Sequence, residues 1–228
     1  MAVAAQAKQK KPAVAAKGET QTEPLRDAER TKQALLAAAE IEFSTKGLAG
    51  ARVDVIAEQA AANKRMLYYY FGSKEDLYLA VLERAYGAMR ETERKLNLTD
   101  LEPLEAIRRL VEFKFDYCQE HQQIITLLAG ENMLGAKHLR RSKKLRDMNM
   151  SLVDVLTEVL KAGEKSGVLR PGLDPLHLYI SMSALSYFYF SNSATLSVAF
   201  ERQLSSPAEL KLRRAHCVDV IMSYVTAR

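Results

Sequence analysis

The chain has 228 residues, 48% of them hydrophobic, enough for one helical body with a small head or for two small domains. Its 33 Lys and Arg stand against 28 Asp and Glu, and the net charge of +5 leans toward anionic partners without naming one. Two widely separated cysteines, Cys118 and Cys217, argue against a disulfide framework or a metal site, and no apolar run approaches the roughly 18 residues of a membrane span.

Residues 1–26 are rich in Ala, Lys and Gln and contain Pro12 and Pro24, with Lys8, Lys10, Lys11, Lys17 and Arg26 outnumbering Glu19 and Glu23. This composition predicts a disordered basic tail. It lacks the apolar core of a signal peptide, so the expected location is cytoplasmic. The tail is either inert and solvated or an arm that adds phosphate contacts or reaches a minor groove.

From Arg52 to Leu77 the chain reads as two short helices joined by a tight turn, with a third following at once. Val53, Ile56, Ala57 and Ala60 fall on one apolar face of the first, while Asp54 and Glu58 face out. Asn63 is placed to cap the second helix. Lys64 and Arg65 then occupy its first turn, where the helix dipole disfavours cations. Phosphate or base edges would give that placement a use. Leu67 and Phe71 lie one helical step apart and anchor the helix. Tyr68, Tyr69 and Tyr70 take the remaining surface, where hydroxyls can bond phosphate and rings can lie on sugars. Ser73 caps the next helix with Asp76 three places on, and Lys74 adds a charge beside it. This is the build of a DNA-reading helix-turn-helix. Between Ala28 and Asp76, however, seven bases meet seven acids, so any DNA-attracting field must come from segregating the two signs on opposite faces.

The pattern V-D-x-I-A, a turn, then L-Y-Y-x-F-x-S-K-E-x-L, carried by Val53 to Ala57 and Leu67 to Leu77, resembles the TetR family of transcriptional regulators. The resemblance makes Thr31 to Lys46 the first helix of the head and Gly47 its stop. Two departures stand out. The family's A-G-V-S turn reads Ala60-Ala61-Ala62-Asn63, losing a glycine suited to a left-handed backbone. The small residue after the first recognition-helix cation is Arg65, and the histidine before Phe71 is Tyr70.

Beyond Leu77 the helix runs on toward Leu98, and Pro103 opens a further one from Leu104 to Glu120. A short apolar segment spans Ile124 to Leu128. Lys137 to Arg146 holds six cations and no acid, and helical spacing would put Lys137, Arg140, Arg141 and Lys144 on one side. That side is a solvated face, an anion site or a second DNA contact. Met148 to Lys165 is amphipathic and ends near Gly167 and Pro171-Gly172. The last two helices, Pro175 to about Phe190 and Pro207 to Val225, are apolar on more than one side, as at a subunit interface. The resemblance implies that this pair forms a four-helix bundle with its twin, and that the body holds an effector pocket. Phe113, Tyr117, Met133, Met148, Tyr187 and Phe190 are the candidate lining residues.

The expected fold is therefore all-α, with a helix-turn-helix head over residues 27–75 and an effector-binding, dimerising helical body over 76–228. The expected function is a homodimeric repressor on a palindromic double-stranded operator, released by a small molecule, with no cofactor, metal or membrane partner. Lys64 and Arg65 would contact base edges or phosphate; Arg52, Tyr68, Tyr69, Tyr70 and Lys74 would position the backbone. An activator of the same fold, and a protein-binding adapter with a degenerate turn at Ala61, are the alternatives. An enzyme built on Cys118 and His121 lacks an orienting third group and an oxyanion loop.

Overall fold

The computed structural model describes residues 23–227, and the predicted tail over 1–22 lies outside them. Nine α-helices make up the described chain: α1 (Glu23–Gly50), α2 (Val53–Gln59), α3 (Lys64–Phe71), α4 (Lys74–Arg94), α5 (Pro103–Glu120), α6 (Gln122–Met133), α7 (Lys143–Ser166), α8 (Pro175–Ala199) and α9 (Pro207–Val225). Helix α1 begins at Glu23, inside the segment expected to be tail. Its regular course stops at Gly47, whose φ of 66° and ψ of 172° turn the chain toward α2, where the glycine was expected to stop it.

Two apolar clusters hold the fold together. The first joins Leu35, Ala39 and Phe43 of α1 to Ile56 of α2, Leu67 of α3, Leu77 to Leu82 of α4, and Ile124 to Leu127 of α6. The second packs Ile107, Leu110, Val111 and Phe115 of α5 against Leu156 and Leu160 of α7, Met182 of α8, and Cys217 and Ile221 of α9. The head is thus no separate globule. Its core extends into α4 and α6, and the boundary expected at residue 75 falls in the first turn of the continuous helix α4.

The basic run departs from its expected helical face. Ser142 adopts an extended conformation and caps α7, its Oγ accepting from the Leu145 N–H at 3.2 Å. Upstream, the buried Glu131 carboxylate accepts the backbone N–H groups of His138 (2.7 Å) and Leu139 (3.0 Å), which pins a turn leading into a single 3-10 turn over Leu139–Arg141. Lys137, Arg140, Arg141, Lys143, Lys144 and Arg146 are all exposed, but they do not share one helix. Arg141 instead pairs with Asp76 at the start of α4. Helix α8 runs nine residues beyond its expected end at Phe190, because Ser, Ala and Thr there offer no breaker.

Candidate functional site

The turn between α2 and α3 closes by two hydrogen bonds. The Ala61 N–H donates to the Glu58 carbonyl at 3.0 Å and the Ala62 N–H to the Ala57 carbonyl at 2.9 Å. That is a complete Schellman cap, with Ala61 in the left-handed position at φ 49° where glycine is usual. The turn geometry therefore survives the loss of the glycine. Asn63 follows in extended conformation, and its Oδ1 accepts the Met66 N–H at 2.9 Å, the cap predicted from its position.

Helix α3 buries only Leu67 fully, while Phe71 and Tyr70 lean on the head's core. Lys64, Arg65, Tyr68 and Tyr69 remain exposed, Tyr69 to 79%. Tyr70 is half-buried, its ring edge-on to Tyr69 at 5.3 Å, so it is less available than its neighbours. Lys64 Nζ lies 3.0 Å from the Asp54 carboxylate on α2, which holds the ammonium above its ordinary pKa. Arg52 is exposed at the start of α2 while its N–H donates to the buried Glu42 carboxylate at 3.1 Å. Lys74 Nζ reaches the Ala49 carbonyl at 3.4 Å. Ser73 Oγ accepts the Asp76 N–H at 3.0 Å and donates back to the Asp76 carboxylate at 2.6 Å. A short, doubly fixed helix thus presents two cations and two phenols to solvent.

A second site lies in the body, where α4, α5, α6 and α8 surround a cavity of about 260 Å³. Tyr86 and Met89 come from α4, Lys114, Tyr117 and Cys118 from α5, and Ile124, Ile125 and Leu128 from α6. Helix α8 contributes Tyr179, Ser183, Ser186 and Tyr187. The wall is mostly apolar with few convergent polar groups, the makeup of a small-molecule site. Burial pushes the Tyr86 phenol up to about 12 and the Cys118 thiol up to about 11. Ile124 and Ile125 belong both to this wall and to the core shared with α1, so the cavity touches the packing of the head.

The family model described as "Bacterial regulatory proteins, tetR family" matches residues 35–81, and "Tetracyclin repressor-like, C-terminal domain" matches residues 103–221. The "HTH-type transcriptional repressor NicS" of Pseudomonas putida is 41% identical over 170 residues, covering 75% of this chain and 80% of its own length. The chain belongs to the TetR family. The "HTH-type transcriptional regulator RutR" of Escherichia coli K12 is another relative, 34% identical over 165 residues, covering 69% of this chain and 73% of its own. Among solved structures, the putative transcriptional regulator SCO4942 of Streptomyces coelicolor superposes with a TM-score of 0.66 at 27% identity, over 86% of this chain and 98% of that one. As a TetR protein, the chain is a DNA-binding transcriptional regulator with an all-helical fold.

Of the predicted lining residues of this TetR body, Tyr117 and Tyr187 lie on the cavity wall. The other four do not. Phe113 packs on the Tyr117 ring at 5.4 Å, and Phe190 on Phe115 at 5.0 Å, both as core. Met148 borders a different cleft with Arg90, Arg94 and Leu152. Met133 is 89% exposed at the end of α6, because the chain turns there and leaves nothing above it. The sequence reading missed Lys114, Tyr179 and Ser183. Lys114 carried a signal, since a lysine on the face of Ile107, Leu110 and Val111 is a cation at a core position. His121 stacks on Tyr117 at 4.2 Å, and the raised Cys118 thiol is the reverse of an activated nucleophile. Among the described residues, no helix is long and apolar enough to cross a membrane, and no cluster of metal ligands occurs.

Proposed function

We propose that this TetR regulator is a cytoplasmic repressor that binds a two-fold symmetric operator as a homodimer and is released by a small molecule in the body cavity. The observation that carries the reading is α3, a capped helix whose exposed face holds Lys64, Arg65, Tyr68 and Tyr69. Lys64 and Arg65 serve base edges and phosphate, and Arg52, Lys74 and the tyrosines serve backbone positioning. Tyr70, half-buried, contributes by fixing Tyr69. The intact turn at Ala61 weighs against an adapter without DNA reading.

Dimerisation is supported by an apolar stripe on the outside of the last helix pair. Leu176, Ile180 and Phe188 of α8, with Leu212, Val220 and Tyr224 of α9, are all exposed large hydrophobic side chains. One recognition helix reads only a few base pairs, so a two-fold partner supplies the second half-site about one turn away. The name of the NicS relative favours repression over activation.

Release follows from the shared isoleucines. A ligand that fills the cavity displaces α6 against α1, and binds best where the two heads are spaced wrongly for DNA. Selection of bound sequences from random duplex DNA by the purified protein tests the proposal, with a palindromic site as the expected recovery. Phe188→Arg should sediment as a folded monomer and lose enrichment. No enrichment by folded, dimeric wild-type protein would return the adapter reading.

A further inference from the structure

The body contains a charged cluster that the DNA-reading head does not use. Arg90 and Glu93 of α4 and Lys114 of α5 are 4%, 3% and 5% exposed. Glu93 pairs with Arg90 and lies 3.1 Å from Lys114 Nζ. The Tyr179 hydroxyl accepts from Arg90 Nη2 at 2.6 Å and from Lys114 Nζ at 2.9 Å. Asn149 Oδ1 accepts the Arg90 Nε and Nη2 donors at 3.1 and 2.9 Å.

Two full cations therefore share one carboxylate in a region nearly closed to water. Such an excess of charge is unfavourable unless a counter-charge arrives. Arg90 is surrounded by acceptors, but Lys114 donates one hydrogen bond, to Tyr179, and meets Glu93 only as an ion pair that leaves the buried Glu93 Oε1 without a hydrogen bond; Lys114 also borders the cavity. Ser183 Oγ, on the same wall, is buried and has no hydrogen-bond partner among the described residues. Tyr179 and Ser183 lie one helical turn apart on α8, and both line the cavity that Lys114 borders. Burial pushes the Tyr179 phenol up, but Lys114 and Arg90 outweigh it and hold the group below its ordinary value, as an uncompensated positive charge should.

The rest of the wall is mostly apolar, with Tyr117, Ile125, Leu128 and Tyr187 facing the same space and Asn132 and Ser186 as further polar groups. A cavity of about 150 Å³ takes benzene. The 260 Å³ here leaves room for one ring with a carboxylate.

We propose that the cavity takes a small monocyclic organic acid, its carboxylate on Lys114 Nζ beside the Tyr179 and Ser183 hydroxyls and its ring between Ile125, Leu128 and Tyr187. This rests on the reading of the cavity as the effector site and adds its chemical class. The acid completes the charge balance of the cluster and occupies the wall that α6 shares with α1. Binding the acid and moving the head are thus one event.

Isothermal titration of the full-length protein with benzoate, and with benzamide as its uncharged isostere, tests the assignment. Benzoate should bind once per chain, about tenfold or more tighter than benzamide. Lys114→Met should erase that preference. Ser183→Ala, which removes only the orphan hydroxyl, should weaken benzoate several-fold while leaving benzamide unchanged, and serves if the lysine variant does not fold. Equal binding of the two probes to wild-type protein overturns the acid class and leaves the effector site standing. Binding of neither at about 10 mM overturns the acid as well. If neutral monocyclic compounds then also leave the melting temperature unmoved, the effector reading falls with it.

Discussion

Replacing Ala61 by glycine should stabilise the protein, although it removes a side chain. Ala61 sits at φ 49° in the Schellman cap of α2, and it is exposed, so its methyl group adds little packing. An L-residue held in that region costs about 1–2 kcal/mol. Glycine relieves this cost but loses about 0.5–1 kcal/mol more backbone entropy on folding. The expected net gain is about 0.5–1 kcal/mol, a rise of roughly 1–4 °C in melting temperature for a chain of this size. Differential scanning calorimetry at one fixed protein concentration is the assay, because association makes the midpoint concentration-dependent. Ala62→Gly is the control: Ala62 has no positive φ, so glycine there should lower the midpoint. A midpoint for Ala61→Gly at or below that of the wild type would refute the assignment of strain at this turn.

Asp54→Asn frees Lys64 and removes an acid beside the DNA-reading face, so operator affinity should rise roughly two- to fivefold, with a steeper salt dependence by fluorescence anisotropy. Weaker binding instead would mean that Asp54 orients the lysine for contact. Gly163→Ala should destabilise the body despite better helix propensity, since a Cβ there would collide with the Leu169 side chain and lie 3.0 Å from Pro103 Cβ. Overpacking of about 1–3 kcal/mol outweighs the roughly 1 kcal/mol propensity gain, and urea unfolding reads the difference. Cys118, with its thiol up at about 11 against an ordinary 9.0, should react with iodoacetamide about a hundredfold more slowly than a free thiol at pH 7.5, and the rate should climb with pH toward 11. A free-thiol rate by peptide mapping would show the cavity wall to be open to water.

The head was legible in the sequence because its logic is local. Asn63 and Ser73 cap the helices they immediately precede, and Val53, Ile56 and Ala57 declare their face within one turn. The cavity was not, because its wall is assembled from α4, α5, α6 and α8, and spacing along one helix cannot say which neighbour stands opposite. Met133 and Met148 are large, adaptable side chains on core-facing helices, but neither property shows the turn after α6 or the separate cleft beside Arg90. Lys114 was the informative exception. A charge at a core position signals an unmet requirement, whatever partner answers it.

Helix α4 has a bearing on how regulators of this build can be recombined. Its 21 residues put Leu77 to Leu82 in the core of the head and Tyr86 and Met89 on the cavity wall. Each residue of an α-helix turns the chain by about 100°. One residue inserted between Leu82 and Tyr86 would turn the head's face of α4 about 100° from its cavity face, and the core that α1 shares with α6 would have to break or repack to follow. A chimera joining this head to a foreign body would keep the exposed face of α3 in its present orientation to that body only if the splice preserved the count of residues between Leu82 and Tyr86.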